Sequence, residues 1–505
     1  MHTPSESEFL KLSQQGNLIP VYQEMLGDLE TPVAVYLKIT RKARHAFLLE
    51  SVEGEERIAR YSFLAKDPEL ILQTKNNMVK ITRFKKGKKP VSTSYPLKDT
   101  PLTVIKEILG KYRFVPSDGL PRFCGGLVGY LGYDLVRFFE KLPRNTRDDL
   151  KLPDTYLMLA TRLIIFDHLN HTIKIVCCQE VDGSLRENKK RALYQNALKE
   201  ISKLSRELRK PLSLPQNKNR RTKDFPLESV LSSNLAKDEF IKIVAKAKEY
   251  IRSGDIIQVV LSQRFKIPLT SHPFNVYRSL RALNPSAYMF YLNFDQIQLI
   301  GSSPELLVRS EDGIVETRPI AGTRPRGKND QEDELLAREL LNDAKEKAEH
   351  IMLVDLGRND LGRVCKKGSV HVTDFMRIEK YSHVIHIVSD VKGELQKGYN
   401  ALDVLRAAFP AGTVSGAPKI RAMAIIEELE DVRRGPYAGC IGYFSFSGNL
   451  DTCITIRTIV VNKGNAYIQA GAGIVADSDP AKEYQETLNK AKAPLLALEM
   501  AQKII

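Results

Sequence analysis

The chain of 505 residues is 43% hydrophobic and 27% charged, proportions typical of a soluble globular protein with one large domain or two to three ordinary ones. No apolar run is long enough to span a membrane, and residues 1–8 lack the basic start and apolar core of a secretory signal. The six cysteines show neither CxxC pairs nor zinc spacing, so we expect reduced thiols and a cytoplasmic protein.

The net charge of +15 comes from 76 basic and 61 acidic residues. Two short basic clusters, at residues 85–89 and 219–221, are not interleaved with aromatic residues that would stack on bases. A basic surface that attracts an anionic substrate therefore explains the charge better than a nucleic-acid interface, which stays an alternative.

The first part of the chain alternates apolar and polar residues between turns. Residues 31–39, 46–50 and 163–167 predict β-strands, and the period of residues 186–209 predicts a helix. Residues 210–221 are rich in proline, asparagine and charge, which is typical of a surface loop. We therefore predict an N-terminal region at residues 13–200 and a linker at residues 201–234.

The second part of the chain, at residues 235–495, mixes helices and strands in irregular order. Residues 237–253 predict an amphipathic helix that ends at Ser253 and Gly254, and residues 256–265 predict a strand. Because no βαβ repeat is present, the pattern indicates an α+β fold with large antiparallel sheets rather than a doubly wound parallel sheet.

Two distant segments each place a pair of glutamates three residues apart on a predicted helix: Glu346 with Glu349, and Glu483 with Glu486. Residues at this spacing share a helix face. Two such faces brought together would repel unless a cation lay between them, and oxygen ligands of this kind suit Mg²⁺. The alternative is that both pairs are solvated helix surface.

The segment Gly471-Ala472-Gly473 resembles part of a dinucleotide-binding fingerprint. That fingerprint requires a helix that begins among its glycines. Here the helix start signals come later, at Asp479 as N-cap and Pro480 as first helical residue. We therefore predict a bend whose exposed backbone N–H groups could hold a carboxylate.

Other segments are ambiguous when taken singly. Residues 317–327 combine three arginines, two threonines and proline turns, and predict an irregular loop that binds an anion or is merely basic surface. Glu305 follows an apolar run and is predicted at a strand end, while residues 409–419 predict a glycine-rich loop before a helix. Alternation predicts that Arg457 lies on a strand, on the same face as Cys453, where it needs an anionic partner.

Taken together, these segments resemble a known family, the large, chorismate-using component of anthranilate synthases. The matching phrases occur in order along the chain: LLES at 48–51, GGLVGY at 125–130, NPSAYMFY at 284–291, SPE at 303–305, PIAGT at 319–323, FPAGT at 409–413, GCIGY at 439–443, DTCITIR at 451–457 and EYQET at 483–487. The resemblance covers nearly the whole chain. It implies two large, mainly antiparallel β-sheets packed as a sandwich with helices outside, and makes residues 235–495 the catalytic region.

The resemblance also implies a reaction, in which ammonia attacks C2 of chorismate, the C4 hydroxyl leaves, and pyruvate elimination gives anthranilate. Matching positions imply that Glu349 and Glu483 hold Mg²⁺ directly, with Glu346 and Glu486 acting through water. The implied catalytic residues are Glu305 as general acid, His386 in the lyase half, and Thr413. The implied substrate-binding residues are Ala321, Gly322, Thr323, Tyr437, Arg457, Gly471, Ala472, Gly473 and Lys490.

Two positions separate the relatives. Gln258 stands where water-adding relatives place a lysine base, and Ala321 stands where many aminodeoxychorismate synthases place a nucleophilic lysine. An amide or a methyl group can do neither job, so ammonia is the expected nucleophile. Aminodeoxychorismate synthase component I stays the alternative within the family.

The chain has no GxCxGxQ segment of a glutaminase. The resemblance therefore implies that ammonia comes from a separate glutamine amidotransferase subunit, the anthranilate synthase component II, within a heterotetramer.

The resemblance further implies a feedback site for tryptophan. Its matching residues are Leu49, Glu50, Ser51, Pro285, Tyr288, Met289, Phe290 and Cys453. One departure is Ala287, which replaces the second proline of the family's Asn-Pro-Ser-Pro-Tyr phrase and loosens that loop.

Overall fold

The protein is described by a computed structural model over residues 2–52, 60–85, 87–216, 230–381 and 384–504. The predicted basic cluster at 219–221 and one lysine of the cluster at 85–89 lie outside these residues. The helices in the described ranges are α1 (Glu6–Leu12), α2 (Pro32–Thr40), α3 (Pro101–Leu109), α4 (Glu187–Leu208), α5 (Lys237–Arg252), α6 (Pro273–Leu283), α7 (Asp330–Asn342), α8 (Ala344–Gly362), α9 (Ala401–Ala408), α10 (Lys419–Leu429) and α11 (Pro480–Lys503). Short 3₁₀ turns occur at Tyr133–Phe138 and Gly412–Val414.

The strands follow in chain order. They are β1 (His2–Thr3), β2 (Leu18–Leu26), β3 (His45–Glu50), β4 (Tyr61–Lys66), β5 (Leu70–Lys75), β6 (Met78–Arg83), β7 (Val91–Pro96), β8 (Gly126–Leu131), β9 (Thr155–Ala160), β10 (Arg162–Asp167), β11 (Thr172–Glu180), β12 (Ser232–Ser233), β13 (Gln258–Pro268), β14 (Tyr288–Phe294), β15 (Ile297–Ser303), β16 (Leu306–Glu311), β17 (Ile314–Thr317), β18 (Ile320–Pro325), β19 (His371–Lys380), β20 (Val384–Glu394), β21 (Gly416–Ala417), β22 (Cys440–Ser445), β23 (Leu450–Ile454), β24 (Thr458–Asn462) and β25 (Asn465–Ile474).

The strands form two large antiparallel sheets, which confirms the predicted α+β class. One sheet has 13 strands in the order β1-β2-β11-β10-β4-β3-β14-β15-β24-β25-β13-β12, with β21 also on β13. The other has 12 strands in the order β18-β20-β17-β16-β23-β22-β8-β9-β5-β6-β7, with β19 also on β20. Both sheets join strands from either side of residues 201–234, because β3 pairs with β14 and β8 with β22. The division of the sequence into regions stays a prediction.

The two sheets pack face to face, as the resemblance implies. Their shared core holds the Tyr156 and Phe294 rings, stacked 4.1 Å apart, and the Phe63 and Tyr443 rings, 6.0 Å apart. Helices such as α2, α4, α6 and α11 cover the outer face of the 13-stranded sheet with a second apolar cluster. In the described residues, no helix is both long and apolar enough to cross a membrane.

Several sequence predictions are confirmed: β3, β10, α4, α5 and most of β13 lie where expected. All six cysteines are buried and unpaired. The prediction of a strand at residues 31–39 is wrong, because this segment forms α2. The Thr31 side chain caps its N-terminus by accepting from the Ala34 N–H, and Pro32 occupies the first turn. These cap signals outweigh the β-branched composition.

Candidate active site

The two predicted glutamate pairs lie at the start of two capped helices. Asp343 caps α8 by accepting from the Lys345 and Glu346 N–H groups at 3.0 and 3.2 Å. Asp479 caps α11 in the same way, at 2.9 and 3.0 Å from two backbone nitrogens of the first turn. Carboxylates near a helix N-terminus are stabilised by the helix dipole. Both pairs therefore lie where negative charge is tolerated.

The structure brings these two helix starts together beside β13 and β25. Gln258 on β13 donates from Nε2 to Glu349 Oε1 at 3.3 Å. The same nitrogen lies beside Gly473, where a Cβ would be 2.6 Å away and would require the Gln258 side chain to shift. Burial raises the pKa of Glu483, and Lys345, one turn before Glu349, is near enough to oppose this shift. The starts of α8 and α11 are therefore neighbours, and a metal site shared by all four carboxylates stays a prediction.

Two of these carboxylates have ion-pair partners, Glu486 with Lys490 at 2.6 Å and Glu346 with Arg324 at 3.6 Å. Burial, then the charge of Glu349, raises the pKa of Glu346, while Arg324 at 3.6 Å opposes the shift. Burial raises the pKa of Glu483 as well, and Glu486 adds to it. A divalent cation would remove this repulsion, and the all-oxygen donor set suits Mg²⁺. Within the described ranges, no group of three or more acidic, histidine or cysteine side chains is arranged to hold a metal ion, so a Mg²⁺ site here stays a prediction.

Arg457 does not lie on a strand, and the prediction that it does is wrong. It occupies the bend between β23 and β24 with φ +51°, because β23 ends at Ile454. Its Nη1 donates to the Lys490 carbonyl at 2.9 Å, and Lys490 Nζ donates to the Gly471 carbonyl at 3.0 Å. Burial lowers the pKa of Arg457, and among the described residues no carboxylate forms an ion pair with it. A buried guanidinium of this kind is ready to receive an anionic ligand.

Glu305 lies in the link between β15 and β16, at a strand end as predicted. Its carbonyl accepts from the Ile454 N–H at 3.0 Å, which fixes the link to β23. The residue is only 8% exposed, and burial raises the pKa of its carboxyl group to about 7, with Thr413 and Lys490 opposing. The Thr413 hydroxyl lies in the 3₁₀ turn of the glycine-rich loop and has no well-aligned hydrogen-bond partner. Glu305 can therefore hold a proton near neutral pH.

His386 lies on β20, opposite the segment predicted as an irregular loop. That prediction is partly wrong, since residues 320–325 form β18, with a bulge between Ala321 and Thr323. His386 Nδ1 lies 2.8 Å from the Gly322 carbonyl and 3.1 Å from the Thr323 hydroxyl. A carbonyl can only accept, so the proton belongs on Nδ1 and Nε2 is left as an acceptor. A Cβ at Gly322 would lie 3.1 Å from Glu346, which connects this side to the carboxylates.

Tyr437 completes the region beside the glycines of β25. A Cβ at Gly471 would lie 2.7 Å from the Tyr437 hydroxyl, so only glycine fits there. Ala472 points to the opposite face and packs under α5 and α10, so only its backbone is available to a ligand. The bend predicted at residues 471–473 is instead the straight end of β25, which runs to Ile474.

Comparisons with known proteins identify the family of this chain. The family described as chorismate binding enzyme matches residues 44–496. The chain belongs to this family. It is 51% identical over 499 residues to the anthranilate synthase component 1 of Aquifex aeolicus (strain VF5), covering 99% of this chain and 98% of that protein. It is 48% identical over 513 residues to the protein of the same name from Acetivibrio thermocellus, covering 100% of both.

Solved structures of this enzyme family also match. Anthranilate synthase component I from Streptococcus pneumoniae TIGR4 superposes with a TM-score of 0.75 and 38% identity, over 93% of this chain and 99% of that one. The menaquinone-specific isochorismate synthase of Escherichia coli shares the fold at 20% identity and a TM-score of 0.68, over 98% of this chain and 99% of that one.

This chorismate-binding enzyme has a second cavity, between the two sheets. Seven of the eight residues predicted for tryptophan line it: Leu49, Glu50, Ser51, Tyr288, Met289, Phe290 and Cys453. Pro285 is not among the lining residues of this cavity, whereas Ala287 is. The Ser51 hydroxyl is buried without a partner in the structure. Seven of the eight predicted residues therefore line one concave surface.

Three charged residues of this cavity, Arg122, Arg309 and Asp451, were not predicted as site residues from the sequence. Arg309 donates to Asp451 at 3.0 Å and to the Tyr288 hydroxyl at 3.1 Å. Arg122 donates to the Tyr443 hydroxyl at 3.1 Å and to Glu311 at 3.0 Å. Arg309 sits in the middle of the apolar segment Leu306–Glu311, and this was the one available signal. Its partners come from other strands, which local sequence cannot reveal.

Proposed function

We propose that this chain is the chorismate-using component of an anthranilate synthase, which catalyses the first committed step of tryptophan biosynthesis. The observation that carries the proposal is the 51% identity, over 99% of this chain, to a protein named anthranilate synthase component 1. Lys490 supports it, because this residue lies near Glu305, accepts a hydrogen bond from Arg457 and pairs with Glu486. Each of these groups supplies one requirement of a reaction on a cyclic dicarboxylate.

Binding of chorismate needs positive charge for two carboxylates. Arg457 and Lys490 supply it, and they are held together by the bond from the guanidinium to the Lys490 carbonyl. Gly471 and Gly473 let the ligand approach the backbone of β25, while Tyr437 lies beside them. Charge-assisted hydrogen bonds of this kind contribute roughly 1.5–3 kcal/mol each.

The metal site is part of the same proposal. Glu349 and Glu483 would hold Mg²⁺ directly, and Glu346 and Glu486 would hold its waters. The raised pKa values of Glu346 and Glu483 support a site that needs a cation. When bound, Mg²⁺ offsets the charge of the substrate's ring carboxylate.

Glu305 serves as the general acid. The hydroxyl at C4 is a poor leaving group, so it must receive a proton as ammonia bonds to C2. Because burial raises the pKa of Glu305 to about 7, its carboxyl group carries a proton in about half of the molecules at neutral pH. A general acid typically contributes about 10²–10⁴-fold to the rate. His386, with Nε2 free to accept, is placed to assist the later loss of pyruvate, and Thr413 and Thr323 border the two ends of this region.

The nucleophile is ammonia rather than water or a lysine. Gln258 lies against Glu349, where its amide cannot activate water, and Ala321 offers no amine. These two positions favour anthranilate over isochorismate, and over the aminodeoxychorismate of the alternative function. Component 1 in the relatives' names supports a second component, which we propose is a glutamine amidotransferase that forms a heterotetramer with this chain.

Tryptophan is the proposed inhibitor, bound in the second cavity. Cys453 lines this cavity and lies on β23. The residue after it, Ile454, donates a backbone hydrogen bond to the Glu305 carbonyl. A ligand against Cys453 could thus alter the position of the acid. Coupling between sites is typically about 1–3 kcal/mol.

The decisive test is turnover of chorismate by the purified chain. With ammonium and Mg²⁺ it should form anthranilate, identified by mass and fluorescence, and with glutamine alone it should form none. Aminodeoxychorismate as product would instead establish the alternative. Activity with glutamine and no second subunit would contradict the division of labour.

A further inference from the structure

A buried ion pair near the proposed site, Arg434 with Glu430, has no assigned role in ligand binding. Arg434 and Glu430 form an ion pair in which both side chains are at most 3% exposed. Arg434 donates from Nε to Glu430 at 2.9 Å and from Nη2 to the other carboxylate oxygen at 2.6 Å. Burying two charges is costly unless their hydrogen bonds are completed. The remaining bonds of this pair all go to segments that border the active site.

The first segment is β13. Arg434 Nη2 donates to the Val260 carbonyl at 2.7 Å, and Glu430 accepts from the Ser262 N–H and hydroxyl at 2.8 Å each. These backbone groups lie on the edge of β13 away from β25, in the gap between the short strands β21 and β12. The ion pair therefore forms hydrogen bonds with the part of this edge that no strand covers. Across the sheet, Val260 pairs with Gly473 and Ser262 pairs with Gly471.

The second and third segments are the glycine-rich loop and the turn before β22. Arg434 Nη1 donates to the Val414 carbonyl at 2.6 Å, next to Thr413. The guanidinium also lies over the ring of Tyr437, 5.5 Å from its centroid, and over the ring of Tyr133 at 4.8 Å. The Arg434 side chain thus contacts three segments: β13, which pairs with the β25 glycines, the loop that carries Thr413, and the turn that carries Tyr437.

We propose that Arg434 and Glu430 are positioning residues, which set the relative placement of β13, the glycine-rich loop and Tyr437 and so hold the chorismate pocket in its reactive geometry. The inference depends on the proposed function only for the identity of the product, because binding of chorismate is the property of the whole family. A displacement of about 1 Å in reacting groups can cost about 100-fold in rate.

The chain offers a matched control, a second buried ion pair whose glutamate lies on α10, the helix that ends just before Glu430. Arg137 donates to Glu427, which lies one turn before Glu430, and to Asp134 at 2.7 Å. The side chains of Arg137 and Glu427 are 9% and 3% exposed. Their other partners are Thr146 and the Pro143 carbonyl, neither of which borders the proposed site. If buried ion pairs matter only for folding, the two pairs should respond alike.

The experiment compares Arg434→Lys with Arg137→Lys. Circular dichroism gives the folded fraction, calorimetry gives chorismate affinity with Mg²⁺, and the ammonium assay gives kcat and KM separately. We expect Arg434→Lys to lower kcat per folded molecule by about 100-fold and to weaken chorismate binding by about 10-fold, while Arg137→Lys stays within about threefold in both.

A double variant, R434Q with E430Q, keeps the test valid if a single charge cannot stay buried. It leaves no unpaired charge, yet the Val260 and Val414 carbonyls lose their ionic donor, so we expect its chorismate affinity and kcat to stay low. Wild-type values for folded Arg434→Lys or for the double variant, or equal losses in both lysine variants, would overturn the inference. A wild-type chain that binds chorismate but makes no anthranilate would overturn the proposed function, and the affinity comparison would still decide the positioning role.

Discussion

The proposed active site and the second cavity treat charge differently. In the proposed active site, half-buried Arg457 has a pKa lowered by desolvation and no ion pair among the described residues, and burial raises the pKa of Glu305. In the second cavity Arg309 is paired with Asp451. Burial lowers the pKa of Arg309, but Asp451 and Tyr288 outweigh burial and raise it well above its ordinary value.

This difference indicates what each cavity is built to receive. A region whose buried charges lack partners gains most from a ligand that brings the opposite charge, such as a dicarboxylate with a cation. A cavity whose charges already pair with one another, and whose walls include Leu49, Met289 and Phe290, selects an apolar ring by shape.

The largest effect is expected for Glu305→Gln. This change removes the proton donor without changing the shape of the side chain, so kcat with ammonium should fall about 10²–10⁴-fold. At fixed free ammonia, the wild-type rate should fall as pH rises through about 7, where Glu305 loses its proton. Glu394→Gln, an exposed carboxylate paired with Lys366, is the control and should leave the rate unchanged.

Glu305→Gln should also change how the free energy of unfolding depends on pH. The pKa of Glu305 is raised in the folded state, so between about pH 4.5 and pH 7 the unfolded chain releases this proton and the folded chain keeps it. Wild type should therefore lose up to about 3 kcal/mol of stability relative to Glu305→Gln over this range as pH rises. Urea unfolding at several pH values measures this, and a constant difference would refute the buried, protonated carboxyl.

A second prediction compares two arginines. Arg309→Gln breaks a paired charge and should cost up to about 3–5 kcal/mol in the free energy of unfolding, because buried Asp451 then keeps only Arg122, 3.5 Å away, as an ion-pair partner. Arg457→Gln removes a charge that lacks an ion pair and should leave that free energy unchanged or higher. Chemical denaturation of both variants checks this. Equal losses would mean that the contrast between the cavities is incorrect.

A third prediction concerns the cation. Chelation should abolish anthranilate formation, and added Mg²⁺ should restore it. Glu483→Gln should raise the Mg²⁺ concentration needed for half-maximal rate by at least about 10–100-fold, the range seen when groups around a metal are changed. Glu499→Gln, on the same helix and paired with Lys503, is the control. A Mg²⁺ requirement that is equal in the two variants would exclude Glu483 as a ligand.

The smallest effect is expected in the second cavity. The Ser51 hydroxyl is buried and unpaired, so we expect it to bond the bound tryptophan. Ser51→Ala should weaken inhibition about 10-fold without a change in the uninhibited rate. Ser62→Ala, a buried serine of β4 whose hydroxyl pairs with His168, should retain wild-type inhibition. No inhibition of wild type at saturating tryptophan would remove this cavity from the proposal.

Local sequence predicted the features that depend on residue spacing and on helix caps. The glutamate pairs, the start of α11 at Asp479 and the strand-end position of Glu305 follow from a few neighbouring residues each. Residues 31–39 and Arg457 were mispredicted because β-branched alternation outweighed a cap signal in one case and hid a turn in the other. The Arg309–Asp451 pair depends on β16 lying beside β23, which are about 140 residues apart in sequence, and no local pattern contains that information.

The most direct measurement is equilibrium binding of chorismate to Glu305→Gln, which turns over slowly, with saturating Mg²⁺ and with chelator. If the glutamate pairs and Arg457 act together on one dicarboxylate, Mg²⁺ should tighten chorismate binding by at least about 10-fold, and chorismate should tighten Mg²⁺ binding by the same factor. Equal chorismate affinity with and without Mg²⁺ would contradict the account.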